Sequence, residues 1–180
     1  MLPGPTLIYS CPSCGGLFSR ASLRSGNTFG ATYRSDGKMK ARMLPTTPPL
    51  VACPNCLKPI SLLDASPIDE VEKYSFGMPF FGEPEPLTAE EVAEKQALEA
   101  KKEKYKAVTE YLLLSARQCT EYVASTPLGN SELAQRMYAW QRVNDERIAE
   151  DYRAFTPTEV ANLQGLLKIA ETNTDSGRVL

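Results

Sequence analysis

Short runs of alternating apolar and polar residues mark the first third of the chain, and apolar residues three and four apart mark the second half. The first spacing belongs to strands with one buried face, the second to amphipathic helices. Strands are predicted at 7–10, 17–20, 50–52 and 60–63. Between 28 and 44, Phe29, Ala31 and Tyr33 alternate with small or polar residues, Ser35-Asp36-Gly37 turns the chain, and Met39, Ala41 and Met43 alternate on the return. Asp-Gly between such runs predicts a hairpin with a two-residue type I′ turn, both of whose central positions need φ > 0.

The pattern changes after residue 87. Thr88-Ala89-Glu90-Glu91 has the spacing of a capping box, and the stretch 89–123 lacks Pro and Gly, which predicts one long helix. Its first half is sparsely apolar and Tyr111-Leu112-Leu113-Leu114 is dense, so the helix should project into solvent at its start and be buried near its end. A second helix is predicted at 131–154, with a stripe of Leu133, Met137, Trp140, Ile148, Tyr152 and Phe155. Asn144 interrupts that stripe, and a local break there is favoured over a buried hydrogen bond. Thr156-Pro157-Thr158-Glu159 is a second capping box, opening a short helix with a stripe of Val160, Leu163, Leu167 and Ala170. Cys119 reads as a helix-packing cysteine. The expected fold class is α+β, an N-terminal antiparallel β-ribbon with an enlarged hairpin followed by a C-terminal α-helical segment. The expected division is a ribbon at 1–63, a connector at 64–87 and a helical domain at 88–180.

The connector holds Pro67, Pro79, Pro84 and Pro86, which favour extended chain, yet it also carries Phe76, Met78, Phe80 and Phe81. These apolar residues either fold back to close a small core or form a docking segment for a partner protein. Lys101-Lys102-Glu103-Lys104-Tyr105-Lys106 reads as a solvated helix face, because Glu90, Glu91, Glu94 and Glu99 lie nearby.

Composition narrows the chemistry. The 180 residues contain no histidine, which excludes Ser-His-Asp and Cys-His catalysis and His-ligated metals. With no phosphate-binding Gly loop or dinucleotide fingerprint either, the protein is not expected to be an enzyme. No apolar run reaches the roughly 20 residues of a membrane helix, and the first residues lack the pattern of a signal peptide, which predicts a cytoplasmic protein. Charge is uneven: residues 1–60 hold seven basic residues against Asp36 alone, or +6, while the remainder holds thirteen basic and twenty-one acidic, or −8. Four metal-bound thiolates would bring the first segment to about +4, only mildly basic.

The five cysteines carry the strongest signal. Cys11-Pro12-Ser13-Cys14 and Cys53-Pro54-Asn55-Cys56 are matched Cys-Pro-x-Cys units, and Cys119 stands apart. Each unit can fold as a tight turn that aims two sulfurs at one point, with backbone N–H groups on the first sulfur. Two turns complete the S₄ cage that Zn²⁺ accepts. Gly15 and Gly16 are expected to supply positive φ after the first turn. Structural zinc is the expected cofactor. An iron–sulfur cluster is the chemical alternative, and a disulfide or redox pair fits less well. Four thiolates would close the metal's shell and leave no position for catalysis.

The knuckles resemble those of zinc-ribbon proteins. More narrowly, Cys11-Pro-x-Cys14-Gly15, Gly26-Asn-Thr-Phe-Gly30, Ser35-Asp-Gly-Lys38, Met43-Leu-Pro45 and Val51-x-Cys-Pro-x-Cys56 together are similar to an uncharacterised family of small bacterial proteins in which a ribbon precedes helices. The resemblance implies the fold and ligands at Cys11, Cys14, Cys53 and Cys56, and no activity. Leu57-Lys58 stands after the second knuckle where Gly-Gly follows the first, a departure that bears on its turn. The leading functional expectation is a zinc-stabilised protein-interaction module of adaptor, regulatory or immunity type, whose partner is another protein. The alternative is a nucleic-acid-binding regulator using Arg34, Lys38, Lys40 and Arg42, which alternation places on one hairpin face opposite Phe29, Tyr33, Met39 and Met43.

Overall fold

Each Cys-Pro-x-Cys segment is the turn of a β-hairpin, and the rest of the fold is arranged around those two hairpins. The computed structural model describes residues 1–72 and 88–175. In chain order these form β1 (Leu2–Ser10), β2 (Leu17–Ser25), β3 (Thr32–Tyr33), β4 (Met39–Lys40), β5 (Leu50–Ala52), β6 (Pro59–Ser61), β7 (Asp69–Val71), α1 (Ala89–Tyr105), β8 (Leu112–Leu113), α2 (Ala116–Ser125), α3 (Glu132–Ala149) and α4 (Pro157–Asp175). A 3₁₀ turn at Gly129–Ser131 precedes α3. The sheets run β2-β1-β7, β3-β4 and β6-β5-β8, all antiparallel between named strands, so the fold is α+β with strands first and helices last. No described helix is long and apolar enough to cross a membrane.

The strand β1 begins at Leu2, five residues before the predicted start. Pro3 and Pro5 argue against a strand in sequence, but β7 pairs only with Thr6, Leu7 and Ile8, so the prolines lie where that side of β1 is unpaired. Register shifts mark the same stretch, and Ser22 Oγ donates to the Pro5 carbonyl at 2.6 Å.

Three apolar clusters stack through the molecule. On one face of β1, Ile8 packs with Val71 and with Tyr105 at the end of α1. On the other, Tyr9 and Phe18 stack with ring centroids 5.4 Å apart and join Val51, Ile60, Leu62 and the buried cysteines Cys11 and Cys53. The third cluster sets Leu50 and Ala52 against Leu114, Cys119 and Val123 on the helical side. All three residues of β5 are therefore buried, with Val51 facing the cysteines and its neighbours facing the helices. Strands extend past residue 63: β7 falls in the span read as connector, and β8, which pairs with β5, falls in the span read as helical.

The predicted helix over 89–123 is two helices. α1 opens with the expected Thr88–Glu91 capping box and buries only Tyr105, consistent with a helix projecting into solvent. It stops at Tyr105, the next segment enters the sheets as β8, and Ser115 and Gln118 form a capping box that starts α2. Leu112 and Leu113 pair with Ala52 and Val51 as β8 and are exposed, while Leu114, just past the strand, is buried. The predicted break at Asn144 is absent, because α3 runs through it and Asn144 Nδ2 donates to Asp36 Oδ2 at 3.1 Å. The buried stripe of α3 is Gln135, Ala139 and Val143, displaced from the predicted one. In α4 the Thr156–Glu159 box forms, but Val160 and Leu167 face outward and Glu159 and Asn162 face inward. Arg153 explains the inversion: its guanidinium makes a two-point ion pair with Glu159, at 3.0 and 2.7 Å, which satisfies that carboxylate inside the helix packing.

Candidate metal centre

The two knuckles are built alike. Cys11 follows directly on β1 and Cys53 directly on β5. In the first knuckle, Cys11 N–H donates to the Gly16 carbonyl (2.9 Å), Gly15 N–H to the Cys11 carbonyl (2.8 Å) and Ser13 N–H to Cys11 Sγ (3.4 Å). In the second, Cys53 N–H donates to Lys58 (3.0 Å), Leu57 N–H to Cys53 (2.9 Å) and Asn55 N–H to Cys53 Sγ (3.4 Å). The expected N–H donors to the first sulfur are present in both. The shared turn needs a left-handed residue directly after its second cysteine, filled by Gly15 at φ 70° and by Leu57 at φ 61°. Leu57 therefore holds the geometry of the first knuckle in a conformation that costs a side-chain-bearing residue about 1–2 kcal/mol.

Gly16 does not take positive φ as expected; its role is close approach. A Cβ at that position would lie 3.2 Å from Asn55 Cβ and 2.5 Å from Asn55 Nδ2. Asn55 Nδ2 also donates to the Leu17 carbonyl at 3.1 Å, so the second knuckle is tied to the strand leaving the first.

The four sulfurs converge. Cys11 Sγ lies 3.7 Å from Cys56 Sγ, Cys14 Sγ lies 3.8 Å from Cys53 Sγ, and all four are within 4.8 Å of one another. All are free thiols, far beyond the roughly 2.05 Å of a disulfide. A tetrahedron with metal–sulfur bonds of about 2.3 Å has edges of about 3.8 Å, so the short separations equal those of a four-thiolate cage. The group can hold a single metal ion. Its spacing leaves no volume for the bridged irons and sulfides of a cluster. Cys11 and Cys53 are buried, Cys56 is half-buried and Cys14 is exposed.

The sulfurs already perturb one another. Desolvation raises Cys53, but the backbone N–H groups of Cys56 and Asn55, helped by Cys11 and Cys14, outweigh it and bring this thiol down to about 7. The Gly16 backbone lowers Cys14, yet Cys56, burial and the remaining thiols drive it up to about 12. A cation at the centre would favour the thiolate form, which is the form that binds metal. Cys119 stays apart, fully buried between α2 and α3, with burial pushing its thiol up to about 12.

The basic hairpin is placed differently from its sequence expectation. Its strands shrink to two residues each, and the turn is a three-residue loop, with Arg34 N–H donating to the Lys38 carbonyl (3.0 Å) and only Gly37 at positive φ. Tyr33 opposite Met39 and Thr32 opposite Lys40 preserve the predicted parity. Phe29 is 90% exposed and Tyr33 69%, so the aromatics do not enter a core. Arg34 Nη1 donates to Asp145 Oδ1 (2.6 Å), Lys38 Nζ donates to Asp145 Oδ2, and Arg34 also pairs with the buried Asp36 at 2.7 Å. Lys40 and Arg42 remain exposed. Docking of the basic hairpin face against the acidic helices was one reading of the charge pattern, but the sequence did not single out Asp145 as the partner; the visible signal of the latch was Asp36, the lone acid of the first sixty residues. Phe76, Met78, Phe80 and Phe81 lie outside the described residues. No family model, no curated protein and no solved structure matches the chain.

Proposed function

We propose that this protein is a zinc-stabilised protein-interaction module in which the ion is structural. The observation that carries the reading is the sulfur tetrahedron, whose edges fit Zn²⁺ and whose four protein ligands leave no open position for substrate or water. Binding at such a site contributes on the order of 10 kcal/mol to folding, here to a core that includes the three-residue strands β5 and β6. The reading assigns a non-enzymatic, cytoplasmic role and places the chain with the small bacterial ribbon-and-helix proteins it resembles. The matched knuckles support that placement. A protein partner is favoured over nucleic acid because Arg34 and Lys38, half of the candidate basic set, are spent on Asp145.

Metal analysis of protein purified without added ions tests the site, and affinity capture from native cells tests the role. One zinc per chain and loss of the folded ribbon on chelation are expected. Iron in place of zinc, or a ribbon unaffected by complete chelation, would remove the reading.

A further inference from the structure

We propose that the trough between the β3–β4 hairpin and α3 is the docking groove for an acidic peptide segment of a partner protein, one that carries apolar side chains between its carboxylates. This rests on the interaction-module reading above. Two adjoining depressions, of about 360 and 540 Å³, share Lys38, Met39 and Thr46 and so make one continuous trough. Four cations line it, Lys38, Lys40, Arg42 and Arg142, and no carboxylate does. That is a local reversal in a chain with 22 acidic and 20 basic residues.

The charge along the trough is mostly uncompensated. Lys38 is offset by Asp145, but Lys40 and Arg42 form no ion pair among the described residues. Arg142 is 4.0 Å from its nearest carboxylate partner, Glu146, and its buried Nε has no hydrogen-bond partner. Between these cations the walls carry apolar surface from Met39 and Pro48, the exposed Leu113 of β8 and the half-buried Tyr138, beside the polar Thr46 and Gln141.

Complementarity to such a surface selects a ligand with both carboxylates and aliphatic groups, which is a polypeptide. Single-stranded nucleic acid would need exposed aromatic faces on which bases stack; the hairpin's exposed rings, Phe29 and Tyr33, do not line the trough, and Tyr138, the ring that does, is half-buried.

The test uses the zinc-loaded full chain and a fluorescein-labelled decapeptide of alternating Glu and Val, followed by anisotropy at increasing salt. Saturable binding that weakens as salt rises is expected, with no binding of the matching Lys–Val decapeptide. The double variant Lys40→Glu/Arg42→Glu should bind about tenfold more weakly or worse. Leu113→Ser should weaken binding with its salt dependence unchanged. Circular dichroism and zinc content identical to the parent show that each variant is folded. Failure of the Glu–Val peptide to bind, affinity unchanged by the charge reversals, or tighter binding of an oligothymidylate of equal length would each overturn the groove. If the groove fails while the chain still captures a protein that the double variant captures equally well, the module reading survives without it. If no protein is captured either, both fall.

Discussion

The knuckles make matched demands on the backbone but meet them with different residues, which sets up a mutational comparison with a definite sign. At position 15 the native Gly sits at φ 70° and an added Cβ meets nothing within 4 Å. Gly15→Ala therefore introduces backbone strain and no clash. The left-handed conformation costs about 1–2 kcal/mol for a residue with a Cβ, while the stiffer unfolded chain returns about 0.4–1, leaving a net loss of about 1 kcal/mol. At position 57 the native Leu is 62% exposed, so both Leu57→Ala and Leu57→Gly forfeit a similar small contact. Only Gly also relieves the strain, and Leu57→Gly should be more stable than Leu57→Ala by about 1 kcal/mol. A difference of that size moves the midpoint of a chain this long by about 2–4 °C. Urea unfolding followed by helical circular dichroism, at fixed free zinc, measures each gap. Finding Leu57→Ala as stable as Leu57→Gly would refute the claim that the two knuckles share one strained geometry.

Other outcomes follow from single contacts. Asp69 is held down to about 2 by hydrogen bonds from Lys101 and then Tyr105, so its contribution should be intact above about pH 4 and fade as pH falls toward 2; Asp69→Asn should flatten the stability profile in that window. Asp145→Ala removes the shared partner of Arg34 and Lys38 and should cost about 1–2 kcal/mol while opening the hairpin loop to proteolysis, read by cleavage within residues 29–43. Cys119→Ser buries a hydroxyl in an apolar cluster and should cost about 1–3 kcal/mol with no change in metal content, separating it from the other four cysteines. Ser115→Ala removes the α2 cap and should cost about 1 kcal/mol by thermal unfolding.

The metal centre was legible because its signal is local: each knuckle is a short segment whose types and spacing dictate its own turn. Both predicted capping boxes were legible for the same reason, and Ser115-Ala116-Arg117-Gln118 carried an equally local signature that the absence of Pro and Gly obscured. The illegible parts depend on distant chain. Nothing near Leu112 and Leu113 favours a strand over a helix until β5 offers its edge. Asn144 looks like a break until Asp36, 108 residues earlier, supplies a hydrogen-bond partner. The inward face of α3 falls on Gln135 and Ala139 because Gln135 Nε2 finds Ser61 Oγ at 2.9 Å and the small Ala139 lets α2 come close, neither of which is visible as an apolar stripe.

Three residues long, one strand thick and covered on both sides, β5 is a party wall. Val51 presses toward the sulfur cage while Leu50 and Ala52 form the floor beneath α2. Stripping an ion from the cage should slacken that wall from one side and unsettle the floor on the other. Chelation is therefore expected to loosen the helical packing as well as the sulfur end of the molecule.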